Sequence, residues 1–257
     1  MNLKPRAQAA AWEKLIAMSE RLPQSLIAVG PAGVGKRRAI KALFQYLHCE
    51  DGGGFFGAAG AEKPCGRCVQ CTKIFENKHT DWIEISPQGE QIVVDDLREM
   101  KKALYFAPMD GTVRFVVIDQ AHKLNLTSAN SLLKILEEPP AHTRFFLITH
   151  ERSRLLQTIL SRSQFLNFAP LDNPTISTLL DEMQIVIPEK IRPMCLDLMS
   201  GGMDRAQTFS DEKVLNFLDQ IFNELQRLVS RPNWENVVMA ADALGNDEQK
   251  IELLLDV

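Results

Sequence analysis

The sequence predicts an α/β protein, a parallel sheet with helices on both faces, followed by a smaller helical region. Three observations predict it. Short apolar runs recur along the first 170 residues, separated by segments whose apolar residues fall at helical spacing. A turn of the G-x-x-x-x-G-K type joins the first run to the helix after it. Beyond Pro170 the pattern gives way to short helices.

In chain order, residues 5–20 are helix-like, dominated by Ala, Leu and Met. SLIAVG (25–30) is a buried strand that meets a turn. Residues 35–47 carry Ile40, Leu43, Phe44 and Leu47 at helical spacing, and Asp51 to Gly60 is a Gly- and Ala-rich loop. DWIEI (81–85) is a strand and 95–105 a helix. RFVVID (114–119) is a β-branched strand closed by an acid, and 128–138 is a helix stopped by Pro139-Pro140. RFFLIT (144–149) and QFLNF (164–168) are the fourth and fifth strands. Leu126, Leu132, Leu133 and Leu136 read as core. The expected domains are 1–170, with a cysteine module over 49–71, then a helical domain over 171–208 and a helical segment over 209–257.

Composition narrows the function. Lys+Arg number 29 against Asp+Glu 33, a net charge of −4, with 45% hydrophobic and 24% charged residues, which is globular rather than disordered. No apolar run reaches the roughly 18 residues a membrane helix needs. The opening MNLKPRAQAAAWEKL lacks the apolar core and cleavage site of a secretion signal, so a cytoplasmic location without a membrane partner is the expectation. The acidic balance argues against DNA binding by bulk charge.

Gly30-Pro31-Ala32-Gly33-Val34-Gly35-Lys36 follows a strand and opens a helix, the context a phosphate loop requires. Gly30, Gly33 and Gly35 let backbone N–H groups face phosphate oxygens, the helix N-terminus adds positive charge, and Lys36 reaches the outer phosphates. The next residue departs from the pattern. A magnesium-dependent NTPase needs a Ser or Thr hydroxyl there as a metal ligand, and Arg37 would repel the cation. Asp119 is the expected magnesium partner, but the position after it holds Gln120, a poor proton acceptor, in place of Glu. Both departures fall where hydrolysis needs its chemistry.

Cys49, Cys65, Cys68 and Cys71 cluster in sequence, and in a cytosolic chain such a cluster reads as metal binding. Four thiolates suit tetrahedral Zn²⁺ in a structural role, with turns at Gly66 and Val69 bringing the triplet round the ion and Cys49 closing the shell. An iron–sulfur cluster would show a fourth Cys close after the triplet. His48 and His79 are alternative ligands, and reduced structural thiols are the plainer alternative. Cys195, in the apolar stretch 191–199, reads as a buried helix residue. Lys101-Lys102 reads as a solvated helix face.

These residues resemble the clamp-loader branch of the AAA+ family, closest to the delta-prime type of bacterial DNA polymerase III subunit. LPQSL (22–26) leading into GPAGVGK, the block VVIDQAHKLNLTSANSLLKILEEPP (116–140) and TILSRS (158–163) carry the resemblance, strongly over about 20–170 and weakly over 172–208. It implies an AAA+ core with a degenerate nucleotide site, a lid domain, and a collar formed from residues after 209. Arg162 falls on the family's arginine finger, which acts on ATP held by the neighbouring subunit, and Ser163 replaces the motif's usual Cys. Thr149 falls near the first sensor. In Gly201-Gly202-Met203-Asp204-Arg205-Ala206 the second-sensor arginine is replaced by Asp204, which would repel a triphosphate. Related subunits carry a similar zinc module. Arg152, Arg154 and Arg162 are expected to gather charge near one end of the sheet. In the last segment Val214, Leu215, Phe217, Leu218, Ile221, Phe222 and Leu225 make a broad apolar face that could serve a subunit interface, on a collar shorter than the family's usual one.

The function implied is a stator that does not itself hydrolyse ATP, completes a neighbour's ATP site and helps load the sliding clamp on primed DNA. Its implied partners are the gamma/tau and delta subunits. The alternatives are an active gamma/tau-type ATPase and a zinc-containing nucleic-acid-binding module.

Overall fold

The computed structural model describes Leu3, Pro5 and residues 7–51 and 63–230. Most of the glycine loop expected at 51–60, and the part of the expected C-terminal segment after 230, lie outside the described residues. The described chain divides into two compact units, Met1–Ala169 and Pro170–Val257.

The first unit is built on five strands, β1 (Ser25–Val29), β2 (Trp82–Ile85), β3 (Arg114–Ile118), β4 (Thr143–Thr149) and β5 (Gln164–Asn167). They form one sheet in the order β2-β3-β4-β1-β5, and every pairing is parallel. β3 is buried along its whole length and β1 is buried except at Val29, as the continuous apolar runs require. Phe115 and Phe146 pack across β3 and β4 with ring centroids 4.3 Å apart. The helices of this unit are α1 (Ala9–Met18), α2 (Lys36–His48), α3 (Val69–Phe75), α4 (Val94–Ala103), α5 (Leu126–Glu137) and α6 (Gln157–Leu160).

Helix boundaries follow the caps. Asn125 Oδ1 accepts a bond from the Ser128 N–H at 2.9 Å, so α5 begins at Leu126, ahead of the expected 128. Asp96 accepts from the Val93 N–H at 3.2 Å and starts α4 at Val94. Leu132 and Leu136 are buried in the core as expected. Leu126 is not: it is 66% exposed. It occupies the first helical position and lies about 120° round the helix from Leu132, so its side chain clears the sheet.

The second unit contains α7 (Asn173–Glu182), α8 (Arg192–Leu198) and α9 (Glu212–Ser230). Asp172 caps α7 through the Thr175 N–H at 3.0 Å, and Pro174 sits in its first turn. Cys195 is buried on α8. On α9 the apolar face is buried at Val214, Phe217 and Leu218, while Leu225 and Val229 are exposed. No helix among the described residues is long and apolar enough to cross a membrane.

Candidate functional site

The phosphate loop leaves the carboxyl end of β1, an inner strand between β4 and β5. Gly30 is required at the exit: its φ is +155°, and a Cβ there would lie 2.4 Å from the Phe168 carbonyl oxygen. Gly30 N–H donates to the Thr149 carbonyl at 3.3 Å, tying the loop to the end of β4. Gly33 and Gly35 have φ of +70° and +90°, and Gly35 caps α2 in the left-handed conformation. Lys36 is buried and folds back over its own loop, donating to the Gly30 carbonyl at 2.6 Å and to the Pro31 carbonyl. A phosphate would have to replace those two carbonyls as its partner.

Beside the loop, Arg37 forks onto Glu84 of β2, with Nη2 donating to Oε2 at 2.8 Å and Nε donating to Oε1. Trp82 Nε1 donates to the same carboxylate at 3.0 Å. Asp119 follows β3, its N–H donating to the Ile85 carbonyl at 2.8 Å. Its Oδ1 accepts from the Gln120 N–H at 2.9 Å, and Gln120 itself takes a left-handed φ of +50°. Burial pushes the Asp119 carboxyl above its ordinary range and Glu84 adds to that, while Arg37 and Lys36 oppose it. A guanidinium clamped by a carboxylate thus stands beside the acid where a metal-dependent site would hold its cation. Sequence reasoning found Arg37 but missed Glu84. The available signal was an acid in the edge strand beside an unexplained arginine.

Thr149 ends β4 and is buried. Its hydroxyl lies 3.2 Å from His122 Nδ1 and accepts from the Glu151 N–H at 3.0 Å. His122, His150 and Glu151 form a polar trio after β3 and β4 that sequence reasoning did not anticipate. Burial, then the neighbouring His150, pushes His122 down to about 4.

Arg162 lies in the turn between α6 and β5 with its side chain 38% exposed. Nη2 pairs with Glu137 Oε1 at 2.8 Å, and Nη1 donates to the Thr158 carbonyl at 3.1 Å. Ser163 Oγ lies 2.7 Å from Ser25 Oγ at the start of β1, so this turn sits at the strand-entry end of the sheet. The three arginines expected to gather do not. Arg152 stacks over the Phe165 ring at 4.1 Å, Arg154 pairs with Glu151 at 3.4 Å just past the finish of β4, and Arg162 pairs with Glu137. Arg152 and Arg154 share the single 3-10 turn after β4 but reach different partners, and Arg162 lies apart, in the turn before β5. Asp204 is exposed in the second unit, where Arg205 Nη1 donates to the Leu198 carbonyl at 3.5 Å.

The four expected cysteines converge. Cys49 ends α2, Cys65 and Cys68 approach α3, and Cys71 lies in its first turn, with all four sulfurs within 4.8 Å of one another. Backbone N–H groups point at the sulfurs: Cys65 to Cys49 at 3.3 Å, Cys68 to Cys65 at 3.3 Å and Cys71 to Cys68 at 3.4 Å. Cys65 and Cys71 sulfurs are 3.9 Å apart, against about 3.8 Å for a tetrahedron with Zn–S bonds of about 2.3 Å. No disulfide joins them. Gly66, at φ +70°, makes the expected turn, but Val69 does not: it opens α3, with the Cys68 sulfur as the cap. Burial pushes the Cys71 thiol well up, a cost that a bound cation would reverse. His48 and His79 are outside this group. They pack with Phe44 at centroid distances of 4.1 and 4.9 Å, and His48 Nδ1 lies 2.9 Å from the Phe44 carbonyl.

Comparison with known proteins gives these shapes a context. The profile of the family described as DNA polymerase III, delta subunit, matches residues 7–172. DNA polymerase III subunit tau of Salmonella typhimurium is 34% identical over 186 residues, covering 72% of this chain and 27% of that protein. Subunit tau of Bacillus subtilis is 29% identical over 77% of this chain and 34% of its own length. Subunit delta′ of Bacillus subtilis is 30% identical over 72% of this chain and 53% of its own length. The matched part is therefore about a third of the tau relatives and half of the delta′ relative. Among solved structures, a DNA polymerase III gamma subunit-related protein of Thermotoga maritima superimposes with a TM-score of 0.51 at 20% identity, covering 96% of this chain and 76% of that one, a likeness of fold.

Proposed function

The chain belongs to the DNA polymerase III delta-subunit family, and on that premise we propose that it is a clamp-loader subunit of the delta-prime type. In this reading its AAA+ core is a stator that does not hydrolyse ATP. The observation that carries the reading is the Arg37–Glu84 fork beside Asp119. A cation entering there must displace a bidentate ion pair, and no hydroxyl at position 37 waits to ligate it. Gln120 in place of an acid removes the proton acceptor as well.

Arg162 is the group this reading assigns to catalysis, acting on ATP held by a gamma/tau neighbour. Its position on an exposed turn supports a role outside its own chain, and a phosphate would have to compete with Glu137 for it. Thr149 and Asp204 serve as remnants of the two sensors, and residues 171–208 and 209–257 as lid and collar. The four cysteines hold a structural Zn²⁺ that fastens α3 to the end of α2. Partners would be the gamma/tau and delta subunits, with the sliding clamp and primed DNA met through the assembly in the cytoplasm.

A second reading, an active gamma/tau-type ATPase, draws on one feature: the glycines and Lys36 of the phosphate loop are all retained. ATP turnover decides between the two. The isolated chain with magnesium should show none, and brisk turnover would establish the second reading. In a reconstituted assembly, Arg162→Ala should slow the adjoining site by about 10³-fold or more, leaving only the turnover of the remaining sites. An unaltered assembly rate would remove the finger role.

A further inference from the structure

We propose that His122, His150 and Glu151 form a second divalent-cation site, separate from the four cysteines, that takes a borderline transition ion such as Zn²⁺ or Co²⁺. Two imidazoles and one carboxylate are the donor set of open, water-accessible zinc sites. Here one ligand atom from each residue lies within 4.8 Å of the others. His150 Nε2 is 3.2 Å and His122 Nε2 4.0 Å from the same oxygen, Glu151 Oε1. A tetrahedral ion with bonds of about 2.0–2.1 Å sets its ligand atoms about 3.3–3.4 Å apart. Of the two edges to Glu151, one already meets that spacing and the other needs to close by less than about 1 Å, while the edge between the imidazoles lies within 4.8 Å.

The support behind the ligands has the form metal sites use. His122 is buried, and its Nδ1 lies 3.2 Å from Thr149 Oγ1. A proton on Nδ1 donated to that hydroxyl fixes the tautomer and leaves the Nε2 lone pair facing Glu151. Thr149 Oγ1 also accepts the Glu151 N–H at 3.0 Å, which turns the loop after β4 back towards His122. The His122 and His150 rings meet at 64° with centroids 4.1 Å apart, so they converge rather than stack flat. The entrance is open: the side chains of His150 and Glu151 are each 40% exposed. The competing cation is Arg154, whose bond to Glu151 is long at 3.4 Å and whose side chain, 57% exposed, is free to turn to solvent. The ion would sit two links from the phosphate loop, through Thr149, whose carbonyl accepts the Gly30 N–H.

The test uses the full chain, stripped of metal under reducing conditions and refilled by equilibrium dialysis against Zn²⁺ alone. The parent should take up two equivalents. His150→Ala/Glu151→Gln changes one exposed and one half-buried side chain and leaves the buried His122 and Thr149 in place, so it should fold as the parent does by circular dichroism and take up one. Cys68→Ser should keep the second equivalent, and losing it there overturns the separate site. With Co²⁺ alone, the four-thiolate site gives intense near-ultraviolet charge transfer. The second equivalent should add weak visible absorption without it, and that band should vanish in the double variant. A parent that takes up a single equivalent, lost in Cys68→Ser, overturns the proposal, as does a second equivalent that survives the double variant. A single equivalent lost only in the double variant leaves this site standing and removes the zinc assigned to the cysteines.

Discussion

Arg162 and Glu137 come from two sequence blocks that look unrelated, the SRS turn and the LEEPP helix end, and the fold makes them an ion pair at 2.8 Å. Both side chains are substantially exposed, so the pair is worth no more than about 1 kcal/mol. If Arg162 acts as the proposed finger, that small value lets it leave its partner, and it sets the size of the next effect. Glu137→Ala should leave stability within about 0.5 kcal/mol and strengthen the finger's action in an assembly by at most about 5-fold. Assembly ATPase against nucleotide concentration, with thermal melts of the variant, measures both. A loss as deep as that of Arg162→Ala would mean Glu137 positions the finger rather than competing for it. Arg37 shows the limit of motif reading at this scale. Its misfit with a magnesium site is plain in the sequence, but its counter-charge Glu84 lies 47 residues away in a strand whose pairing with α2 the motif does not report. A motif reports what a residue fails to do and is silent on what the residue does instead.

At the scale of elements, the strands were legible because each is an apolar run with turn residues behind it, and α2 and α4 start within one residue of the expected positions, but the start of α5 was not legible, because it depends on which polar side chain bends to a backbone N–H. α5 starts at Asn125's cap, so Leu126 falls outside the core that spacing alone assigned to it. The connection from α4 to β3 was the least legible. It is held by Asp81, fully buried, which accepts from the N–H groups of Met109, Asp110 and Gly111 at 3.0, 2.8 and 3.1 Å. Arg114 Nη2 faces the same carboxylate at 3.3 Å and donates to the Ala107 carbonyl, while Nη1 donates to those of Ala103 and Phe106. Removing one partner of a buried pair strands the other. Asp81→Ala should therefore cost about 3–5 kcal/mol in denaturant unfolding. Lys73→Ala, which breaks the more exposed pair with Asp110, should cost under about 1 kcal/mol. Equal costs would show that Asp81 does not organise the loop.

At the scale of the whole molecule, the parallel sheet, its aromatic packing, the phosphate loop and all four clustered cysteines belong to the unit Met1–Ala169. Its last hydrogen bonds are also made before the boundary. Phe168 N–H donates to the Val29 carbonyl at 2.7 Å, and Gln8 Nε2 donates to the Ala169 carbonyl at 2.8 Å. The unit is well above the roughly 70–80 residues below which one core rarely suffices. A chain ended after Ala169 should consequently fold, with a single cooperative unfolding transition, near-ultraviolet circular dichroism from Trp12 and Trp82, and the cysteine-bound metal retained. Arg162 remains in such a fragment, and the expected lid and collar do not. If Arg162 alone completes a neighbour's site, the fragment in excess should partly restore turnover to an assembly lacking this subunit. If the second unit is what docks the subunit, the fragment should fold, bind the metal proposed for the cysteines and restore nothing. The two outcomes separate the chemistry of the finger from its delivery.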